Sequence, residues 1–233
     1  MKITQTLGTL GLVSLLGVVA ASAQATSTLP TVIAKGDKAI VERITSLNKA
    51  TTNLAKYKNL NSTMLTQITA SLGTGVTDMN TIKAKLDADT DLATAKADYK
   101  SIFSDNRIYA VVLPQQNTMA SMDNLLGRTA TLQATLNAFQ AKASVKAQAG
   151  KDVSSVTSIL SQASTTLADV NTQAQNALNS VAGLKVDHSD KAIQASNKQI
   201  TDGLKTIRAA INSDLKSLSK NINDSRLALK AIK

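Results

Sequence analysis

Apolar residues recur along this chain at alternating steps of three and four, the spacing that keeps one stripe of an α-helix turned toward a partner. The longest such run is Val153, Val156, Leu160, Ala163, Leu167, Val170, Ala174, Ala177, Val181 and Leu184, which predicts a helix over 151–182 with Gly183 as its C-terminal cap. Another is Leu65, Ile68, Leu72, Gly75, Met79, Ile82 and Leu86. It keeps phase across Gly73 and Gly75, which a loop has no reason to do. One helix over 62–88 is therefore expected, weakened by about 1 kcal/mol at each Gly relative to Ala. Two short helices joined by a turn at 73–75 form the alternative.

Four further helices follow from the same spacing. Ile40, Ile44, Leu47, Thr51 and Leu54 predict a helix over 37–57, with Asp37 as its N-cap. Pro30 argues against any earlier start, leaving 24–36 as a loosely ordered tail. Leu92, Ala95, Tyr99, Ile102, Asn106, Tyr109 and Leu113 predict a helix over 91–113. Asp89 or Thr90 would cap it, and Pro114 should stop or bend it. Met122, Leu125, Thr129, Leu132, Leu136, Phe139 and Ala143 predict a helix over 115–146, with a turn at Gly150. Ile193, Ile200, Leu204, Ile207, Ile211, Leu215, Leu218, Ile222, Leu229 and Ile232 predict a long helix over 189–231, with phase slips near Leu204 and Leu215.

Each helix has a narrow apolar stripe and is unstable alone, and the connections are short, which favours antiparallel neighbours. The expected fold is all-α: an elongated antiparallel bundle with coiled-coil-like heptad seams. Residues 37–183 would form the bundle. Residues 184–233 would form a long basic helix packed on it or extending from it.

Composition adds a compartment. Residues 1–23 combine Lys2, an uncharged apolar run and the small residues Ala21 and Ala23, the features of a signal peptide cleaved between Ala23 and Gln24. Retention as an uncleaved anchor is the alternative. No later stretch is apolar enough to span a bilayer, so none is expected after cleavage. Lys2 is the only charge removed, so most of the net charge of +10 stays with the mature chain. There are no cysteines, three Tyr, two Phe and no Trp, so the core must be aliphatic and held by packing alone.

Candidate chemistry is sparse. Glu42 is the only glutamate and His188 the only histidine, and there is no cysteine cluster or glycine-rich phosphate loop. That leaves little material for acid–base or nucleophilic catalysis, and no enzyme activity or cofactor is expected. Asp187-His188-Ser189-Asp190 has triad residue types, but neighbours in sequence do not converge as a triad must. It reads as a solvated loop capping the last helix. Asp87, Asp89, Asp91 and Asp98 resemble the start of a calcium loop, since a hard cation takes several carboxylate oxygens. However, Leu92 stands where such a loop needs Gly, and the helical stripe continues through its second half. Capping acids at a helix junction are the simpler reading.

Tyr99, Phe103 and Tyr109 are expected to fill the widest part of the bundle, with Arg107 and Lys100 pairing Asp98, Asp105 or solvent. Substitution of Asp89 or Tyr99 is expected to cost stability. Residues 185–233 carry ten Lys or Arg against five Asp. Lys198, Lys205, Arg208, Lys216 and Lys220 are the candidate partner-binding residues, facing anionic envelope polymer, lipid head groups or a partner helical protein. Spread-out lysines, few arginines and few aromatics argue against nucleic acid.

Lys35–Ile40 (KGDKAI), Ile44–Asn48 (ITSLN) and above all Leu86–Gln115 (LDADTDLATAKADYKSIFSDNRIYAVVLPQ) resemble a family of secreted all-helical proteins from bacteria with small genomes. Gly150–Val153 and Thr172–Leu178 share the likeness, which covers about 35–183. The resemblance implies export and an all-helical fold, and brings no activity, cofactor or catalytic residue. The expected function is an exported, non-enzymatic helical protein with a structural or interaction role at the cell envelope or surface. A calcium- or small-ligand-binding module centred on 87–109 is the alternative.

Overall fold

Burial falls where the three-four spacing places it. In the computed structural model, which describes residues 27–232, the buried positions of the second helix are Ile68, Leu72, Gly75, Met79, Ile82 and Leu86. Those of the fifth are Val156, Leu160, Ala163, Leu167, Val170, Ala174, Ala177 and Val181. The signal-peptide segment 1–23 lies outside the described residues. Among the described residues there are six α-helices and no strand, an all-α bundle: α1 (Leu29–Asn53), α2 (Ser62–Ala88), α3 (Leu92–Ser104), α4 (Leu113–Gln148), α5 (Ser154–Val181) and α6 (Lys191–Ala231). A short 3₁₀ turn, Leu54–Lys56, follows α1, and a π turn, Ile108–Val112, leads into α4.

Three boundaries differ from expectation, each for a local reason. α1 starts at Leu29 and carries Pro30 in its first turn. The N–H that proline lacks is one that a first turn leaves unbonded anyway. Asp37 is therefore not a cap but lies within α1, where its carboxylate meets Lys83 Nζ at 2.5 Å. α3 ends at Ser104, and Arg107 takes a left-handed backbone with φ of 46°. Pro114 again sits in a first turn, that of α4. Its ring would crowd the carbonyl one turn back. The π turn before it widens the spiral: the N–H groups of Val112 and Leu113 reach back five residues to the carbonyls of Arg107 and Ile108.

Side-chain caps fix the starts of α2, α3 and α6. Asn61 Oδ1 accepts from Thr63 N–H at 2.8 Å, and Asp91 Oδ1 accepts from Ala93 and Thr94 N–H at 2.9 Å each. Asp190 Oδ1 accepts from Ala192 and Ile193 N–H, starting α6 just beyond the loop. Gly150, with φ of 74°, turns the chain between α4 and α5.

Pairings show the helix directions. Gly36 lies against Leu86 and Gly75 against Leu47, so α1 and α2 are antiparallel. Thr129 bonds Asn171 and Gln115 bonds Val181, while Gln173 bonds Asp214 and Gly183 just past α5 lies against Ile200, so α5 runs against both α4 and α6. The core has two parts. The larger joins α1, α2, α3 and the π turn to the first half of α4, the second half of α5 and the first half of α6. The smaller is a three-helix layer around Leu136, Leu160, Leu167, Leu218 and Leu229. α6 packs along α5 through both parts rather than projecting from the bundle, and at 1.5 Å per residue it is about 60 Å long. No helix among the described residues is long and apolar enough to cross a membrane.

Candidate functional site

The four aspartates of the calcium-like stretch are dispersed by the helix ends they serve. Asp87 pairs with Lys83 at 3.0 Å, one turn back on α2. Asp91 is spent on capping α3; hydrogen bonds from the Thr94 hydroxyl and from the Thr94 and Ala93 N–H groups hold its carboxyl below the usual range. Asp89 ends α2 with one carboxylate oxygen buried and without a hydrogen bond. Burial, with the charges of Asp98 and Asp91, pushes its pKa up. Among the described residues no three His, Cys, Asp or Glu side chains are grouped so as to hold a metal ion. The expected metal set Asp87, Asp89, Asp91 and Asp98 is thus not assembled, because two members are engaged and a third is desolvated at a helix end.

Tyr99 packs half-buried against the larger core as expected, but Phe103 and Tyr109 are not core filling. Phe103 is 38% exposed and Tyr109 48% exposed. They hold the Arg43 guanidinium between them, at 4.4 Å from the Phe103 centroid and 5.0 Å from that of Tyr109. Ring faces are negative, so a cation finds there part of what a carboxylate would supply. Arg43 Nη1 also donates to the Ala39 carbonyl, Tyr99 meets Phe103 edge-on at 5.2 Å, and the Tyr109 hydroxyl donates to the Glu42 carbonyl. Arg43 occupies a position of the buried stripe of α1 at which no aliphatic residue stands, and the three-four pattern alone did not reveal it.

Beside this clamp, two strained turns meet. Arg107 pairs with Asp187 at 2.8 Å, in place of the expected Asp98, Asp105 or solvent. His188 and Ser189 share its left-handed backbone, with φ of 40° and 72°. The expected solvated loop is solvated only in part: Asp187 is 2% exposed. Burial works against its charge, but the Ser189 N–H, Gln194 and the Arg107 charge outweigh it and leave the carboxyl below its ordinary range. His188 Nδ1 lies 3.8 Å from Asp105. A small cavity of about 120 Å³ is bounded by Arg43, Phe103, Arg107, Ile108, Tyr109 and Ala110, too small for more than a few waters. The arrangement ties the α3–α4 turn to the α5–α6 loop. It is a structural lock with no substrate-sized space.

The basic residues of α6 divide. Lys198, Lys205, Lys216 and Lys220 follow each other at steps of seven, eleven and four, close to whole turns, so they share one face. Leu204, Ile211 and Leu218 lie on the opposite, buried face. Lys198 and Lys205 both grip Asp202, at 2.6 and 2.8 Å, and their hydrogen bonds hold its pKa down to about 2. Lys220 pairs with Asp224 at 2.5 Å, and Lys216 makes no ion pair among the described residues. Arg208 departs from expectation: Nη2 donates across to the buried Thr118 hydroxyl of α4 at 2.5 Å, so it fastens two helices together.

A second basic group escaped the sequence reading. Lys142 and Lys146 of α4 and Arg226 and Lys230 of α6 border one groove at the three-helix end. Its signal was two pairs of like charges one turn apart on helices that run parallel. Comparison of the chain with protein-family models, with curated proteins and with solved structures returned no match.

Proposed function

We propose that this chain is an exported helical protein that acts by binding, without catalysis, at the cell envelope, and that the outer face of α6 contacts anionic envelope polymer or lipid head groups. The observation carrying this is the outward row Lys198, Lys205, Lys216 and Lys220, opposed on its own face by Asp202 and Asp224 alone. Two carboxylates against four ammonium groups leave a surplus along several turns of a rigid rod. Exposed ion pairs of this kind stabilise by only about 0–1 kcal/mol each, so a polyanion can displace the aspartates at small cost. The signal-like residues 1–23 and the resemblance of 35–183 to secreted helical proteins support export. The three-four burial of α2 and α5 supports reading the seams as coiled-coil-like, a stiff geometry suited to presenting one extended face.

The test is fractionation of the native host or a heterologous secreting strain, followed by a salt wash of the envelope fraction. The protein is expected outside the inner membrane, shortened at its N-terminus and released by raised salt. Retention in the cytoplasm at full length, or envelope retention indifferent to salt, would overturn the reading.

A further inference from the structure

The groove at the three-helix end combines concavity, an apolar floor and a rim of four cations. It lies between the end of α4 and the end of α6 and has a volume of about 490 Å³, within the roughly 300–1,000 Å³ of ligand pockets. Phe139, Val145 and Leu229 form its apolar walls. Val145, which lines it, is 65% exposed. Four cations stand around it, and no carboxylate is among the lining residues.

Among the described residues the cations are not neutralised by acids elsewhere. Lys146 Nζ donates to the Ile232 carbonyl and Arg226 Nη2 to the Asn223 side-chain oxygen, both uncharged acceptors. Lys142 and Lys230 make no ion pair among the described residues. Lys142–Lys146 and Arg226–Lys230 are each one turn apart on a helix, a spacing at which like charges repel. Such a group gains stability when an anion enters. The apolar walls select what carries that anion: a compact inorganic ion would leave them wet, whereas an alkyl chain would cover them.

We infer that this groove binds a single-chain amphiphilic anion, its alkyl tail against Phe139, Val145 and Leu229 and its anionic head among Lys142, Lys146, Arg226 and Lys230. The ligand is taken as a free molecule, one per chain. This goes beyond the polymer contact proposed for the outer face of α6, which uses other lysines and needs no cavity.

The purified protein would be titrated by calorimetry with dodecanoate, with dodecanol as the same chain without the charge, and with phosphatidylglycerol vesicles. Saturable binding of one dodecanoate per chain is expected, with dodecanol weaker by about tenfold or more, the loss of one good charge contact. Val145→Asp should weaken dodecanoate by at least about tenfold. The double variant Lys142→Glu/Lys230→Glu, at exposed positions that leave the core untouched, should abolish the preference for dodecanoate over dodecanol. Lys198→Glu/Lys205→Glu should leave dodecanoate binding unchanged.

Equal affinity for dodecanoate and dodecanol would overturn the inference. So would indifference to Val145→Asp, or binding to vesicles with none to free dodecanoate. A concentration-dependent dimer broken by Val145→Asp, with no dodecanoate bound, would assign the groove to a second copy of the chain instead. Loss of dodecanoate binding while salt-sensitive envelope retention persists would sink this inference alone.

Discussion

At Gly36 α1 lies close against Leu86 of α2 and Ile102 of α3, and replacing it with Ala tests the packing of the larger core. A Cβ built there falls well inside van der Waals contact of Leu86 Cδ2 and at 3.4 Å from Ile102 Cδ1. Leu86 and Ile102 are both 0% exposed, so neither has open space into which to swing. Overpacking of this kind costs about 1–3 kcal/mol. The gain in helix propensity from Gly to Ala offsets about 1 kcal/mol of that. The net expectation for Gly36→Ala is therefore a loss of up to about 2 kcal/mol, lowering Tm by roughly 2–4 °C for each kcal/mol in a chain of this size. Gly73→Ala is the matched control: nothing lies within 4 Å of its Cβ, so only propensity acts. It should raise stability by about 1 kcal/mol if α2 is continuous there. Both would be read by urea unfolding followed by circular dichroism. A Gly36→Ala protein stabilised as much as Gly73→Ala would refute the close approach of α1 to Leu86. A destabilised Gly73→Ala would refute the unbroken α2.

Ser225 is wholly buried on the inner face of α6, and its hydroxyl has no hydrogen-bond partner. Ser225→Ala should stabilise by about 1–3 kcal/mol, seen as a higher urea midpoint at unchanged slope. Asp89→Asn should raise Tm at neutral pH, the reverse of the loss first expected there. Its folded pKa is raised, so the stability it contributes is present below the unfolded pKa and is lost as pH rises through the folded value. The gain of the variant should therefore shrink toward pH 3; a gain independent of pH would refute this. Asp187 has the opposite sign: its pKa is lowered, so its contribution is present above the unfolded value and lost as pH falls through the folded one. Asp187→Asn should lower Tm at pH 7 and matter least in acid, and an equal loss at both pH values would argue for a packing role alone.

The elements legible in the sequence are those whose apolar spacing is uninterrupted. α2 and α5 bury the residues their stripes name, and α2 passes through Gly73 and Gly75 as its phase required. The errors come from residues whose physics is compatible with either side of a boundary. Proline is excluded from a helix interior but welcome in a first turn, so both mark beginnings: Pro30, expected to bar an early start, and Pro114, expected to stop or bend a helix. The stripe Leu92 to Leu113 kept its phase across Asp105, Asn106 and Arg107, although the chain turns there. Asp-Asn is a turn-favouring pair that the periodicity overrode. Arg43, sandwiched by rings from α3 and the π turn, and Asp187, buried under Arg107, depend on contacts between segments far apart in the chain. No local pattern carries such contacts. The lysine row of α6 was legible because helical spacing alone determines which residues share a face; the fastening of Arg208 to Thr118 was not.

The central claim is that α6 presents its lysine row to a polyanion. Its most direct test is the salt dependence of binding to anionic vesicles or isolated cell-wall polymer, for the purified protein and for Lys198→Glu, Lys205→Glu, Lys216→Glu and Lys220→Glu singly and together. The account predicts that the logarithm of the binding constant falls linearly with the logarithm of salt concentration. Each substitution should make that line shallower, and the fourfold variant should abolish binding while keeping the helical circular dichroism of the parent. Binding unaffected by salt, or a fourfold variant with the parent's slope, would contradict it.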